Sequence, residues 1–407
     1  MARYLNQNIE SYLFAILCLI IPIIPKLVPL IIIILSLTII VKAIINRKTS
    51  PTNKLSFRPQ DLFVVLFIIY LIGMTYSSNQ HFGWKDIEAK LSFILFPILF
   101  ALIRYKNLKI NIQFVLLFFV LGCFTSTLLN IYEGLSCYIN TNKASCFISS
   151  SFTYNLHVNH ISIYYGAAIL SLIYLRIPKL VKTILVLWFL LFIVAFLSLG
   201  AYIALFVGFI FFVVVERKRI KHFSKKLFAL VVLSSIIGVV FYSEVSSNYD
   251  QMYKDINSKE ELYSRANTYS ESLLTRLVIW DVASTELIKH PFGVGTGDVK
   301  DQLIAHYKEV GLTKMERQKL NPHNQYLQTG VSIGFLGLFT LLSIFIFTIK
   351  KSLRESNPVL IVFAIVITVN MLFESFLEIQ AGIVFTVLFL YLLDLFGIQN
   401  KRYEVDD

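Results

Sequence analysis

The chain has 407 residues, of which 56% are hydrophobic and only 15% charged, with a net charge of +12. Packed soluble cores stop growing near ~250–300 residues, and disorder needs low hydrophobicity and high charge, so a soluble enzyme and a disordered chain are both excluded. What remains is an all-α polytopic membrane protein, in which the positive charge reports topology rather than a nucleic-acid partner.

A membrane-crossing helix needs about 20 mostly apolar residues. Hydropathy predicts such segments at 11–25, 27–45, 60–76, 90–104, 111–130, 159–176, 180–197, 200–215, 227–243, 324–349, 357–373 and 376–396, about twelve in all. The apolar run 184–215 is too long for one ~30 Å hydrocarbon core. Ser198-Leu199-Gly200 in its middle predicts two helices joined by a tight turn. An even number of spans puts both termini on one side. Leaving out the long loop 244–323, the termini and even-numbered turns carry 23 Lys and Arg, and the odd-numbered loops carry 4. The positive-inside rule then predicts cytoplasmic termini and places the long loop, between helices 9 and 10, outside. The expected division is 1–243 with nine spans, 244–323 as a large, partly helical outer loop domain, and 324–407 with three spans and a cytoplasmic tail. No cleavage-site pattern follows the first apolar segment, which is expected to be retained.

Cys18 and Cys123 fall within spans and read as small apolar fillers. Cys137 and Cys146 share the outer loop 131–158, on the oxidising side, and are expected to form a disulfide. No Cys/His pair has zinc spacing, so neither a metal nor another cofactor is expected. Twelve helices would also suit a transporter, but no internal repeat is visible and charges at mid-membrane are scarce. Glu374 and Glu378 fall by a short outer turn, and Asp394 near the inner end of the last span.

Within the long loop, Leu273, Leu277, Trp280, Ala283, Ser284 and Leu287 recur at helical spacing and predict an amphipathic helix over 272–290, stopped by Pro291. Trp280 is expected to let this helix lie in the membrane interface. Gly293, Gly295 and Gly297 form a flexible turn, and Asp298 is expected to cap a second helix over 299–310, ended by Gly311. The glycine run lacks the Walker lysine and serine and is not a nucleotide loop. Arg276 on the first helix and His323 at the re-entry into the membrane stand out. Taken singly, they also read as a solvated charge and as an interfacial histidine or helix cap, with Pro322 favouring a helix start.

Their combination resembles the O-antigen ligase and O-antigen polymerase superfamily of bacterial envelope glycosyltransferases. The resemblance rests on Thr275-Arg276-Leu277-Val278-Ile279-Trp280, followed by His290-Pro291-Phe292-Gly293-Val294-Gly295-Thr296-Gly297. It rests also on His323-Asn324, nine residues, then Gly334-Phe335-Leu336-Gly337. His157-Val158-Asn159-His160 looks like a histidine-led motif of some members. One departure stands out: where many members carry an arginine in a Ser-Arg-Gly-like turn, this chain has Ser198-Leu199-Gly200, and Arg265 is expected to substitute.

The resemblance implies a ligase on the periplasmic side of the bacterial inner membrane, moving a glycan from undecaprenyl diphosphate to a sugar hydroxyl of lipid A–core. It implies His323 as general base, Arg276 and Arg265 as diphosphate ligands, and His157 as a possible substrate-binding residue. Partners would be the lipid-linked donor, the lipid acceptor and membrane lipids, with no nucleic acid. The alternatives are the polymerase or the protein O-glycosylation ligase of the same superfamily and, from another class, a lipid or solute transporter.

Overall fold

The computed structural model describes residues 7–45, 57–216, 258–268 and 273–405. The span predicted at 227–243, and with it the start of the long loop, lies outside them. Among the described residues there is no strand. In chain order the α-helices are α1 (Ile9–Ile20), α2 (Val28–Ile45), α3 (Leu62–Met74), α4 (Gln80–Lys90), α5 (Ser92–Tyr105), α6 (Ile112–Thr141), α7 (Val158–Tyr174), α8 (Lys179–Phe196), α9 (Leu199–Glu216), α10 (Lys259–Thr268), α11 (Leu273–Lys289), α12 (Val299–Glu309), α13 (Thr313–Gln318), α14 (Gln325–Arg354), α15 (Pro358–Asn370) and α16 (Gln380–Val405). Among the described residues, six helical segments are long and apolar enough to cross a membrane: Pro25–Ile45, Ile112–Thr141, Lys179–Phe196, Leu199–Glu216, Gln325–Arg354 and Gln380–Gly397. Shorter apolar helices occupy Ile9–Ile20, Pro59–Met74, Val158–Tyr174 and Pro358–Asn370. The chain is a polytopic helical membrane protein. It forms two compact units, one of Met1–Ile68, Ile87–Gly208 and Thr340–Asp407, the other of Ile69–Asp86 and Phe209–Phe339.

In the first unit, helix ends follow local chemistry. Asn111 and Asn357 cap α6 and α15, their side-chain oxygens accepting from Phe114 N at 3.1 Å and Leu360 N at 3.3 Å. Pro358 opens α15, where its missing N–H costs nothing. Helix α6 runs to Thr141, well past residue 130 where hydropathy ends the span. The reason is that 131–141 turns polar without a proline or a cap, so loss of hydrophobicity does not stop the helix; Asn142, left-handed at φ 53°, does. Cys137 on this extension is bonded to Cys146, with Cα atoms 5.6 Å apart. The run 184–215 is two helices, α8 and α9, separated by Leu197 at φ 53° and Ser198.

Charges inside the first unit are paired, as burial requires. Asp394, almost wholly buried, contacts Lys351 and lies 3.6 Å from Arg58, which also reaches Glu355 at 3.4 Å. Asp61 accepts from Tyr391 at 2.6 Å and pairs with Arg104 at 3.5 Å. Lys90, 0% exposed, pairs with Glu378 at 3.4 Å.

The second unit holds the ends of α3 and α9, α4 as far as Asp86, α10 to α13, and α14 as far as Phe339. Leu274, Val278, Val282 and Leu287 form the buried face of α11 and pack with Tyr263, Leu303, Tyr307, Leu312, Met315 and Val331. Each such side chain contributes roughly 1.5–3 kcal/mol on burial. The helices predicted at 272–290 and 299–310 are α11 and α12, and Gly311 at φ 74° follows the second. Helices α4, α10 and α13 carry no strong apolar period, so residue spacing does not predict them.

Candidate active site

Helix α11 presents two faces. Its apolar face is the core just described, while Arg276 and Trp280 are half-buried. Separated by four positions, they share one side of the helix. The Trp280 indole Nε1 donates to the Pro322 carbonyl at 2.9 Å. Sequence reading assigns Trp280 to the lipid interface; the structure gives its N–H a protein partner. The next residue along the bonded loop is His323.

His323 is left-handed at φ 45°, an unusual conformation for a non-glycine residue. Its N–H donates to Asn321 Oδ1 at 3.0 Å. Asn324 then starts α14, its Oδ1 accepting from Tyr326 N at 3.0 Å and Leu327 N at 3.1 Å. Two asparagines therefore fix the backbone on either side of the half-buried histidine. One residue earlier, the loop is tied to the helix that carries Arg276.

The glycine-rich motifs meet at a break in α14. Ile333 (φ −131°, ψ 20°) and Gly334 (φ 72°, ψ −169°) leave the helical region. The freed carbonyls of Val331 and Ser332 accept from Val294 N at 2.8 Å and Gly295 N at 3.0 Å, and Phe335 N donates to Pro291 O at 2.9 Å. A Cβ on Gly334 would lie 2.3 Å from Pro291 O. The run after Pro291 is thus a backbone staple for a broken helix. It also grips the end of α3: Thr296 Oγ1 donates to Tyr70 O at 2.7 Å, and Gly297 N to Ser77 Oγ at 3.0 Å. Asp298, expected to cap α12, makes no side-chain cap there. Its carboxylate instead accepts from Ser78 N at 2.7 Å and Asn79 N at 2.6 Å, just before α4, where unpaired helix N–H groups attract an anion.

Glu286 belongs to none of the motifs visible in the sequence. It is 1% exposed on α11. One oxygen lies 2.6 Å from His306 Nδ1, and the other accepts from Gln302 at 2.7 Å, joining α11 to α12. Lys289 at 3.5 Å and His290 at 3.6 Å complete its surroundings. The only sequence signal is a carboxylate in register with buried Val282 and Ala283.

Arg265, on α10 in the same unit, donates to Glu261 at 2.6 Å. Nearby, Asp281 on α11 accepts from Tyr263 and pairs with Lys259 at 2.7 Å. Burial raises the Asp281 carboxyl, but the Lys259 and Tyr263 hydrogen bonds outweigh it and hold it below the ordinary carboxylate value. His157 lies in the other unit, exposed, as the N-cap of α7, accepting from Asn159 N at 3.4 Å. Among the described residues, no group of three His, Cys, Asp or Glu could hold a metal ion.

Residues 184–342 match the O-antigen ligase family model. The matched segment contains Arg265, Arg276, Trp280, His323 and the break at Gly334, and leaves out His157, Cys137 and Cys146. The match is a likeness of this segment, less than half of the chain, to the O-antigen ligase family. No curated protein matches the chain.

Proposed function

We propose that the chain is a glycosyltransferase of the O-antigen ligase type, moving a glycan from undecaprenyl diphosphate to a sugar hydroxyl of lipid A–core on the periplasmic side of the inner membrane. The observation that carries this reading is the Trp280–Pro322 hydrogen bond, which ties the His323 loop to the helix bearing Arg276. Cleaving the sugar C1–O bond builds negative charge on the departing diphosphate. Arg276 stabilises that charge as it develops, and its planar fork suits phosphate oxygens better than an ammonium does. His323 takes the proton from the acceptor hydroxyl as that oxygen attacks C1. Direct displacement inverts the anomeric centre, and the diphosphate supplies the driving force without ATP. Arg265 is a weaker diphosphate ligand in this scheme, because Glu261 already accepts its guanidinium N–H.

Reconstitution tests the reading against its rivals. Purified protein in liposomes, given lipid-linked glycan and lipid A–core, is expected to yield glycosylated core. Movement of glycan lipid with no covalent product would indicate a transporter. Glycan chains lengthened on the lipid carrier, with bare core, would indicate the polymerase.

A further inference from the structure

Where the resemblance leads one to expect an arginine, the turn Ser198-Leu199-Gly200 sits against a buried cluster of neutral polar groups. The cluster gathers the first turn of α7, the last residue of α15 and the segment 371–379 that follows it. Asn159 Nδ2 donates to Asn370 Oδ1 at 2.9 Å and lies 3.4 Å from Ser198 Oγ. A Cβ on Gly200 would stand 2.7 Å from Phe373 Cβ and 3.4 Å from Asn159 Nδ2, so the turn is packed directly onto these groups. Asn159 is 3% exposed, His160 4%, Asn370 0% and Ser375 4%.

These side chains leave hydrogen-bonding capacity unused. Among the described residues, Asn159 Oδ1, Asn370 Nδ2, Ser375 Oγ and both His160 ring nitrogens meet no hydrogen-bond partner. The Phe376 carbonyl acts on His160 but does not meet hydrogen-bond geometry. The Phe376 ring stacks on the imidazole at 4.4 Å and 14°. If both amides are turned over, the pair still leaves one acceptor and one donor open. Polar residues that merely glue membrane helices together satisfy one another. This group leaves donors and acceptors in nearly equal number, beside aromatic rings.

We infer that this cluster is a binding subsite for a neutral sugar, not for an anion. A sugar hydroxyl both donates and accepts, matching an amide pair that offers one of each. Glu374, which acts electrostatically on His160, would repel a diphosphate. Glu378 in the same segment is paired with Lys90. The subsite is closed over by 371–379. Hydrogen bonds left unmade in the closed form reduce the cost of lifting that segment, because opening releases groups already unsatisfied. The site's chemistry is independent of the proposed transfer; only the source of the sugar, donor or acceptor, rests on that reading.

The test replaces the amide pair by apolar residues of similar volume, Asn159→Leu with Asn370→Leu. If the pair is only structural, this change leaves stability equal or higher and function intact. Saturation-transfer NMR on the full chain, in a detergent without a sugar headgroup, is run with N-acetylglucosamine and with inorganic diphosphate as probes. The wild type is expected to transfer saturation to N-acetylglucosamine, and the double variant to lose about tenfold of that signal. Ser375→Ala, a small change that should fold normally, is expected to weaken the signal about threefold. A sugar signal unchanged in a folded double variant, or unchanged in Ser375→Ala, overturns the inference, as does a response to diphosphate alone. In the transfer assay, a raised KM for the lipid-linked donor places the donor glycan here, and a raised KM for the acceptor places the acceptor. Unchanged KM values for both overturn the assignment. Sugar binding without any glycosyl transfer would leave the subsite standing while the proposed function fails.

Discussion

Trp280 shows how one atom can matter to the proposed chemistry. Its indole N–H is bonded to the carbonyl immediately before His323, so Trp280→Phe keeps an aromatic side chain but removes that donor together with the pyrrole part of the ring. Glycosyl transfer is expected to fall by about tenfold through kcat, with the KM for donor and acceptor nearly unchanged, because a base displaced by a fraction of an ångström loses rate more than binding. A variant with wild-type kcat would show that the bond has no part in placing His323. Arg276→Lys tests the cation. It keeps the charge and loses the planar fork, so transfer should drop about tenfold or more if the two-pronged contact matters. Wild-type transfer would reduce Arg276 to a generic charge or to no role. Neither Arg276 nor His323 differs in type from many surface residues. They were legible only because the surrounding motif was, whereas the Trp280 contact, a side chain meeting a backbone carbonyl 42 positions away, has no sequence signature.

At the scale of elements, the break in α14 is the feature on which the glycine motifs converge. Gly334 needs φ 72° and has no room for a Cβ, so Gly334→Ala combines backbone strain with a clash against Pro291 O. A loss of at least ~2 kcal/mol is expected, read as a lowered melting temperature in detergent. An unchanged melting temperature would contradict the staple. Hydropathy and spacing disclosed α11, α12, and the α8–α9 turn, since these follow from apolar period, glycine and proline. They do not show the break, because residues 324–349 read as one continuous apolar span, and they misassign Asp298, because its partners Ser78 and Asn79 are distant in sequence. The clamp of α10 on α11 adds a pH dependence. Asp281 is held below its ordinary value, so its contribution is present above about pH 4 and is lost as the pH falls through the lowered value. The group is partly exposed, so the effect is small, within ~1 kcal/mol. Hydrogen exchange, corrected for its intrinsic pH dependence, should show residues 259–268 losing protection between about pH 5 and pH 2. Asp281→Asn should remove that trend; a trend that persists in the variant would assign it elsewhere.

For the whole molecule, the low charged fraction made the chain readable as a polytopic membrane protein, and the structure shows how the few inward charges are accommodated. Arg58, Lys351, Glu355 and Asp394 pair with one another, as do Asp61, Arg104 and Tyr391. Such pairing offsets the cost of burying each charge. The site proposed for glycosyl transfer uses arginine where other enzymes use a cation cofactor, so transfer is expected to survive dialysis against EDTA. Activity lost to EDTA and restored by a divalent ion would contradict that. His323 is the base proposed to remove the acceptor proton. Its most direct test is transfer by purified His323→Ala in liposomes holding lipid-linked glycan and lipid A–core. A variant that still inserts and melts like the wild type is expected to yield no glycosylated core, and core glycosylated at the wild-type rate would contradict that role for His323.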